Sequence, residues 1–281
     1  MTISGSGRVA GVMGWPIAHS RSPQIHGHWL ERYGVDGAYV PFAVRPENGA
    51  AALRALPMLG FAGTNVTIPH KVTAFETVDR RDAAADAIGA VNTVVVEADG
   101  ALAGFNTDAP GLLAHLRASA GDWRPWAPAA VLGAGGSARA ALFALLEAGA
   151  PEIRLANRTR AKAEALAASF GPKVKVVDWP ERAEMLDGAG LLLNTTSLGM
   201  TGQPPLDLAL DDLPTTAVVY DIVYAPLETP LLAAARDRGN LGVDGLGMLL
   251  HQAAPGFERW FGVTPVVDDA LRDVILAGMS P

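Results

Sequence analysis

A chain of 281 residues with 49% hydrophobic and 18% charged residues holds enough apolar material for one large or two medium cores. No apolar run approaches the roughly 20 residues of a membrane-spanning helix, and a net charge of −7 is the wrong sign for a nucleic-acid or anionic-membrane partner. The lack of cysteine excludes disulfides and thiolate chemistry, and Met1 to Val9 has no basic and apolar export pattern, so a cytoplasmic protein is expected.

Arg8 to Met13 reads as a first strand, followed by a helix for which Ser22 is a natural N-cap and Pro23 a natural first residue. Ile25, Trp29 and Leu30 share its buried face, and Gly34 ends it. Capping accounts for Ser22 but not for Ser20, and two hydroxyls beside a helix start can also hold a carboxylate. His26 and His28 are two apart on a helix and do not face each other, so no metal site is expected. Ala38 to Val44 is a second strand, Ala50 to Met58 a helix, and Gly63 to Ile68 a third strand rich in β-branched residues. Such alternation predicts a parallel sheet with ligands at the carboxyl ends of its strands.

Asn65-Val66-Thr67-Ile68-Pro69-His70-Lys71 is such an end. It leads into a helix with Val72, Phe75 and Val78 on one expected buried face. Lys71 then lies in the first turn, where the positive end of the helix dipole disfavours a cation. Gly89-Ala90-Val91-Asn92-Thr93 opens a hairpin of Thr93 to Glu97 and Ala101 to Phe105 about a turn at Asp99-Gly100. Asn106-Thr107-Asp108 follows, then a helix from Pro110 to about Ala118. Asn92 and Asp108 also suit plain turn and cap positions.

Gly121 to Pro128 reads as a linker. The strand Ala129 to Leu132, the turn Gly133-Ala134-Gly135-Gly136-Ser137-Ala138 and the helix behind it match a dinucleotide-binding opening, in which backbone N–H groups hold a pyrophosphate. The next strand, Glu152 to Ala156, ends at Asn157-Arg158-Thr159-Arg160 with Lys162 beyond. A cation stands where NAD-binding chains place Asp or Glu, which points to the 2′-phosphate of NADP. Val174 to Val177, Gly190 to Asn194 and Ala217 to Asp221 are further strands, and Leu231 to Arg238 a helix. Asp244-Gly245-Leu246-Gly247 opens another helix, expected to break at Pro255-Gly256, before a last one from about Asp268.

Taken together, Pro16-Ile17, His19-Ser20, Ser22-Pro23, His26, Asn65 to Lys71, Gly89 to Thr93, Asn106 to Asp108, Gly133 to Ala138, Asn157 to Thr159, Thr229 to Leu232, Asp244 to Leu249 and Gln252 resemble the shikimate dehydrogenase family. The resemblance implies NADP-dependent interconversion of 3-dehydroshikimate and shikimate, with Lys71 and Asp108 as the catalytic pair and Ser20 and Ser22 on the substrate carboxylate. By the same matching, Asn65, Thr67, Asn92, Tyr224 and Gln252 hold ring hydroxyls. Gly133, Ala134, Gly135, Gly136, Ser137, Asn157, Arg158, Thr159 and Lys162 bind NADP, and Ile222 and Gly245 touch its nicotinamide end. The implied fold is α/β with two domains. Residues 1–107 plus 245–281 form a mainly parallel, substrate-binding domain completed by the C-terminal helices, and residues 108–244 a Rossmann-type NADP-binding domain.

A small-molecule substrate is the partner implied, and a homodimer is compatible with it. Two departures stand out: Gly27 replaces a polar residue common after His26, and Lys162 replaces an arginine, with Arg160 as an alternative. The rivals are a quinate/shikimate dehydrogenase using NAD and a non-catalytic NADP-sensing protein.

Overall fold

The structure, a computed structural model, describes residues 3–279. Positions 1–2 and 280–281 of the expected first domain lie outside the described residues. The apolar runs of the first part pair into one sheet: β1 (Arg8–Gly14), β2 (Gly37–Ala43), β3 (Phe61–Val66), β4 (Arg80–Arg81), β5 (Thr93–Val96) and β6 (Leu102–Phe105), in the order β2-β1-β3-β5-β6-β4. Strand β1 is parallel to β2 and β3, whereas β5 is antiparallel to both β3 and β6. Two reversals make β6 run with β3. One edge of the sheet therefore carries the carboxyl ends of β1, β3 and β6 together with the amino end of β5.

Helices α1 (Ser22–Arg32), α2 (Gly49–Ala55), α3 (Lys71–Thr77) and α4 (Ala83–Ile88) connect these strands. Two expectations about them are corrected. Ser22 is not the cap but the first helical residue; the capping position is Arg21, without a side-chain bond, and Ser20 Oγ accepts the Ser22 N–H at 3.3 Å. In α3 the inward face is Lys71, Ala74, Phe75 and Val78, with Ala74 and Val78 in the core and Val72 55% exposed. The spacing i, i+3, i+4, i+7 is as expected of a helix, but it is counted from the lysine.

The remaining strands, β7 (Ala129–Leu132), β8 (Ile153–Ala156), β9 (Val174–Val177), β10 (Leu191–Asn194), β11 (Val218–Asp221) and β12 (Leu241–Val243), form an all-parallel sheet in the order β12-β11-β10-β7-β8-β9. Read from the other edge this is 3-2-1-4-5-6, the doubly wound order, whose direction reverses between β7 and β10. Its core joins Leu132, Leu192 and Val219 of the strands to Leu231, Leu232 and Ala235 of the helix α8 (Pro230–Asp237). Helices α5 (Asp108–Ser119), α6 (Gly136–Glu147), α7 (Arg160–Phe170), α9 (Leu246–Phe261) and α10 (Asp269–Ala277) complete the chain. Among the described residues no helix is long and apolar enough to cross a membrane.

Two compact units result, Met1–Asp108 with Leu250–Pro281, and Ala109–Leu249. The segment 121–128, expected as a linker, lies inside the second unit. The expected break at Pro255 does not occur, because α9 runs through it. A proline inside a helix costs about 3 kcal/mol, but the turn beyond it buries Phe257, Trp260 and Phe261, each favourable by about 1.5 to 3 kcal/mol. Burial wins.

Candidate active site and cofactor cleft

The strand-end edge of the first sheet gathers polar residues from four parts of the chain. Lys71 begins α3 just beyond β3, Asn92 precedes β5, Thr107 and Asp108 follow β6, and Gln252 comes from α9. Lys71 Nζ donates to Asp108 Oδ2 at 2.5 Å, with only 20% and 9% of the two side chains exposed. The other carboxylate oxygen accepts from Asn92 Nδ2 at 2.8 Å. Asn92 Oδ1 accepts the Thr107 N–H at 2.8 Å. A backbone N–H can only donate, so this bond sets the amide orientation that turns the NH₂ group to Asp108. Asn92 Nδ2 also lies 3.0 Å from Thr107 Oγ1 and 3.5 Å from Gln252 Oε1. Asn106 closes the turn, accepting the Asp108 N–H and donating to the Ala90 carbonyl. The ammonium keeps part of its donor capacity, and it stands beside a carboxylate held from both sides.

Behind this pair the network continues into the core. Asn65 donates to the Asn92 carbonyl at 3.3 Å and to Thr93 Oγ1 at 3.1 Å, and its Oδ1 accepts from the Tyr39 hydroxyl at 2.5 Å. Thr93 and Thr107 hydroxyls meet at 3.2 Å. Thr67, half-buried, bonds the Met13 carbonyl through its N–H. Ser20 is half-buried and Ser22 buried at the start of α1. His26, fully buried among Tyr39, Trp29, Phe257 and Trp260, has neither ring nitrogen in a well-formed hydrogen bond. Burial, opposed in part by the nearby Asn65, lowers its pKa to about 3. It is a neutral stacking group.

In the second unit a cleft of about 220 Å³ opens where the sheet order reverses, lined by Gly133, Ala134, Gly135, Asn157, Arg158, Trp179 and residues 195–198. Gly133 has φ +107, and a Cβ there would lie 2.6 Å from Thr195 Oγ1, so only glycine lets the turn pass this close to Thr195. Gly135 precedes α6 without a side-chain cap, which leaves the first helical N–H groups of Gly136, Ser137 and Ala138 for an anion. Asn157 braces its turn by donating to the Thr159 carbonyl at 2.9 Å. Arg158 reaches the cleft and has no ion-pair partner among the described residues. Lys162 is exposed outside the cleft lining, and Arg160 is paired with Glu164 and Asp178 at 2.7 and 2.5 Å. Such a donor set suits a dinucleotide with one additional phosphate.

One wall of the cleft is tied to a buried carboxylate. Asp221, at the end of β11, accepts from Asn194 Nδ2, the Val223 N–H and Thr229 Oγ1 at 2.7 to 3.0 Å. Asn194 Oδ1 in turn accepts from Thr196 in the lining. Burial raises the Asp221 pKa, against the pull of its three donors. Ile222, Val223 and Gly245 stand together, with Gly245 donating to the Val223 carbonyl at 3.2 Å. A Cβ on Gly245 would strike the Ile222 carbonyl. Tyr224, half-buried, follows in the same loop.

These segments coincide with known families. Residues 12–94 match the shikimate dehydrogenase substrate binding domain, 125–199 the shikimate / quinate 5-dehydrogenase family and 245–271 the shikimate 5′-dehydrogenase C-terminal domain. A shikimate dehydrogenase (NADP(+)) of Paramagnetospirillum magneticum is 60% identical over 276 residues, 98% of this chain and 100% of that protein. The chain belongs to the shikimate dehydrogenase family. Among solved structures, a shikimate dehydrogenase in complex with NADP+ superposes with a TM-score of 0.91 at 35% identity, over 100% of this chain and 98% of the other. The shikimate 5-dehydrogenase of Thermus thermophilus in complex with NADP(H) and shikimate gives 0.84 at 38% identity, over 95% and 99%.

Within this family fold, Lys71, Asn92, Asp108 and Gln252 converge at one place, and the glycine turn, Asn157 and Arg158 at another. Tyr39, Thr93, Thr107, Trp179 and Asp221 were given no role at a site from the sequence, although Thr93 and Thr107 stand in the motifs quoted above. Each is an ordinary strand or loop residue whose surroundings come from distant parts of the chain, and only the Thr-Asp pairing after the hairpin hinted at Thr107.

Proposed function

We propose that this chain catalyses the NADP-dependent, reversible reduction of 3-dehydroshikimate to shikimate, with Lys71 and Asp108 managing the proton. The observation that carries this reading is the Lys71–Asp108 pair, presented at a strand-end edge in a chain whose full-length curated relatives bear that enzyme's name. NADPH, when bound, supplies the hydride that reduces the substrate carbonyl. The chain's own residues do the rest. Lys71 Nζ donates a hydrogen bond to the carbonyl oxygen and passes its proton there as negative charge develops. Asp108 orients the ammonium and accepts from a substrate hydroxyl, while Asn92 holds Asp108 in place. In the oxidative direction the same nitrogen takes the hydroxyl proton.

Ser20 and Ser22 are assigned to the substrate carboxylate, and Thr67, Asn65, Asn92, Gln252 and Tyr224 to its ring hydroxyls. Arg158 is assigned to the 2′-phosphate, the Gly133 to Ser137 turn to the pyrophosphate, and Ile222 and Gly245 to the nicotinamide end. Such an enzyme works in the cytoplasm, in keeping with a chain free of cysteine. The deciding experiment follows nicotinamide absorbance with shikimate and quinate, each against NADP and NAD. Fast turnover of shikimate with NADP alone is expected. Preference for quinate with NAD would transfer the chain to the other branch named by its family, and no turnover would leave an NADP-binding protein.

A further inference from the structure

The Tyr39 hydroxyl occupies a place that no motif indicates. Tyr39 lies in β2, only 7% exposed, with its ring stacked on His26 at 3.9 Å and an interplanar angle of 10°. Trp260 packs against the same ring, with centroids 5.9 Å apart. A ring so enclosed cannot slide, and its oxygen is therefore fixed in space. That oxygen lies 2.5 Å from Asn65 Oδ1. The Asn65 NH₂ group is occupied by the Asn92 carbonyl and the Thr93 hydroxyl, so the amide must present its oxygen to Tyr39 and the phenol must be the donor. A phenol has one proton, and Asn65 Oδ1 takes it. Burial holds the phenol pKa well above its ordinary value, so it stays a neutral donor.

We infer that Tyr39 is a positioning residue of the substrate cradle, its hydroxyl donating to Asn65, at the ring-hydroxyl end, and fixing the direction of that amide. This rests on the function proposed above. From Asn65 the same line of bonds runs through Thr93 and Asn92 to Asp108. Tyr39 and the catalytic carboxylate are thus spaced by one buried chain of hydrogen bonds. Without the phenol oxygen, Asn65 Oδ1 is left buried without its donor, and only the two bonds of its NH₂ group still hold the amide.

Tyr39→Phe keeps the ring and its stack on His26 and removes only the oxygen. Its KM for shikimate should rise about ten-fold, with kcat and the KM for NADP nearly unchanged. A role in folding alone would lower the melting temperature without that selective shift. A double-mutant cycle with Asn65→Ala adds a second reading. If the two residues act through one bond, the double variant should bind shikimate little worse than the weaker single variant, and fully additive effects on KM would overturn the link. A folded Tyr39→Phe enzyme with the wild-type KM for shikimate would overturn the inference while leaving the activity standing. A wild-type chain inactive on shikimate would instead overturn the function on which it rests.

Discussion

The two sites of this chain are built from different materials. Around Lys71 and Asp108 the polar atoms are side chains bonded to other side chains, with Asn92, Thr93, Thr107, Asn65 and Tyr39 all buried. Around the cofactor cleft the polar surface is a glycine-turn backbone and one exposed arginine, while the buried carboxylate nearby, Asp221, is tied to the wall. A network of side chains recognises a small molecule by fixed geometry, and each member depends on the next. Backbone amides and an exposed cation recognise phosphate by charge, and each contributes on its own. Losses should therefore be coupled in the first unit and separable in the second.

The largest expected effect breaks the first site at its reacting atom. Lys71→Ala should lower kcat by about two to four powers of ten with a much smaller change in KM, because the bond it removes strengthens as charge develops on the oxygen. Asp108→Ala should lower kcat and also raise KM. Steady-state kinetics on folded variants read both. A Lys71→Ala enzyme with a normal kcat and a raised KM would make the lysine a binding group only.

Acid should separate the units. The folded pKa of His26, about 3, lies below the ordinary 6.5, so the unfolded chain takes up a proton that the folded one refuses. The stability linked to His26 is complete above pH 6.5 and is lost as pH falls toward 3, by about 3 to 5 kcal/mol. Asp221 has the opposite sign: its pKa is raised, so its contribution is present below the ordinary carboxylate value and is lost as pH rises through the folded one. Urea titrations of wild type and His26→Leu across that range test the first statement, and identical pH slopes would remove His26 from the account.

At the cofactor cleft the effects are smaller and additive. Arg158→Ala should raise the KM for NADP by about one to two powers of ten and leave NAD unaffected, from loss of a charged hydrogen bond of about 1.5 to 3 kcal/mol. Equal losses with both cofactors would make Arg158 structural. The smallest effect is that of salt. Between about 0.01 and 0.15 M the screening length falls from roughly 30 to 8 Å, so the KM for NADP should rise a few-fold and more steeply than that for shikimate.

The same contrast explains what could be read from the sequence. The doubly wound half was legible because its first two strands, glycine turn and strand-end cation lie within about thirty residues of one another, the length of a βαβ unit. The hairpin and the helix that begins at Lys71 were legible for the same local reason. Spacing alone could not have paired Lys71 with Asp108, 37 positions apart; the family resemblance joined them. The misreadings have two causes, the bonding of a helix start and packing from distant parts of the chain. Val72 faces outward because the helix is keyed on its lysine, Ser22 sits inside the helix because Ser20 takes the capping bond, and α9 passes Pro255 because three aromatic residues beyond it are buried. Tyr39 carries no signal of its own, since residues from His26 to Trp260 make its surroundings.

Helix α9 begins in one compact unit and ends in the other, and Phe257 and Trp260 on its far turn pack on Trp29, His26 and Tyr39. This sets an order of events on the ribosome. The first hundred residues emerge with the aromatic side of α1 and β2 uncovered, and they must wait while the whole doubly wound unit is made. Domains that are continuous in sequence can fold as they emerge, N-terminal first; here the second unit is the one able to finish early. A chain stopped before Leu250 would leave Trp29 and Tyr39 bare, a surface for chaperones rather than for substrate.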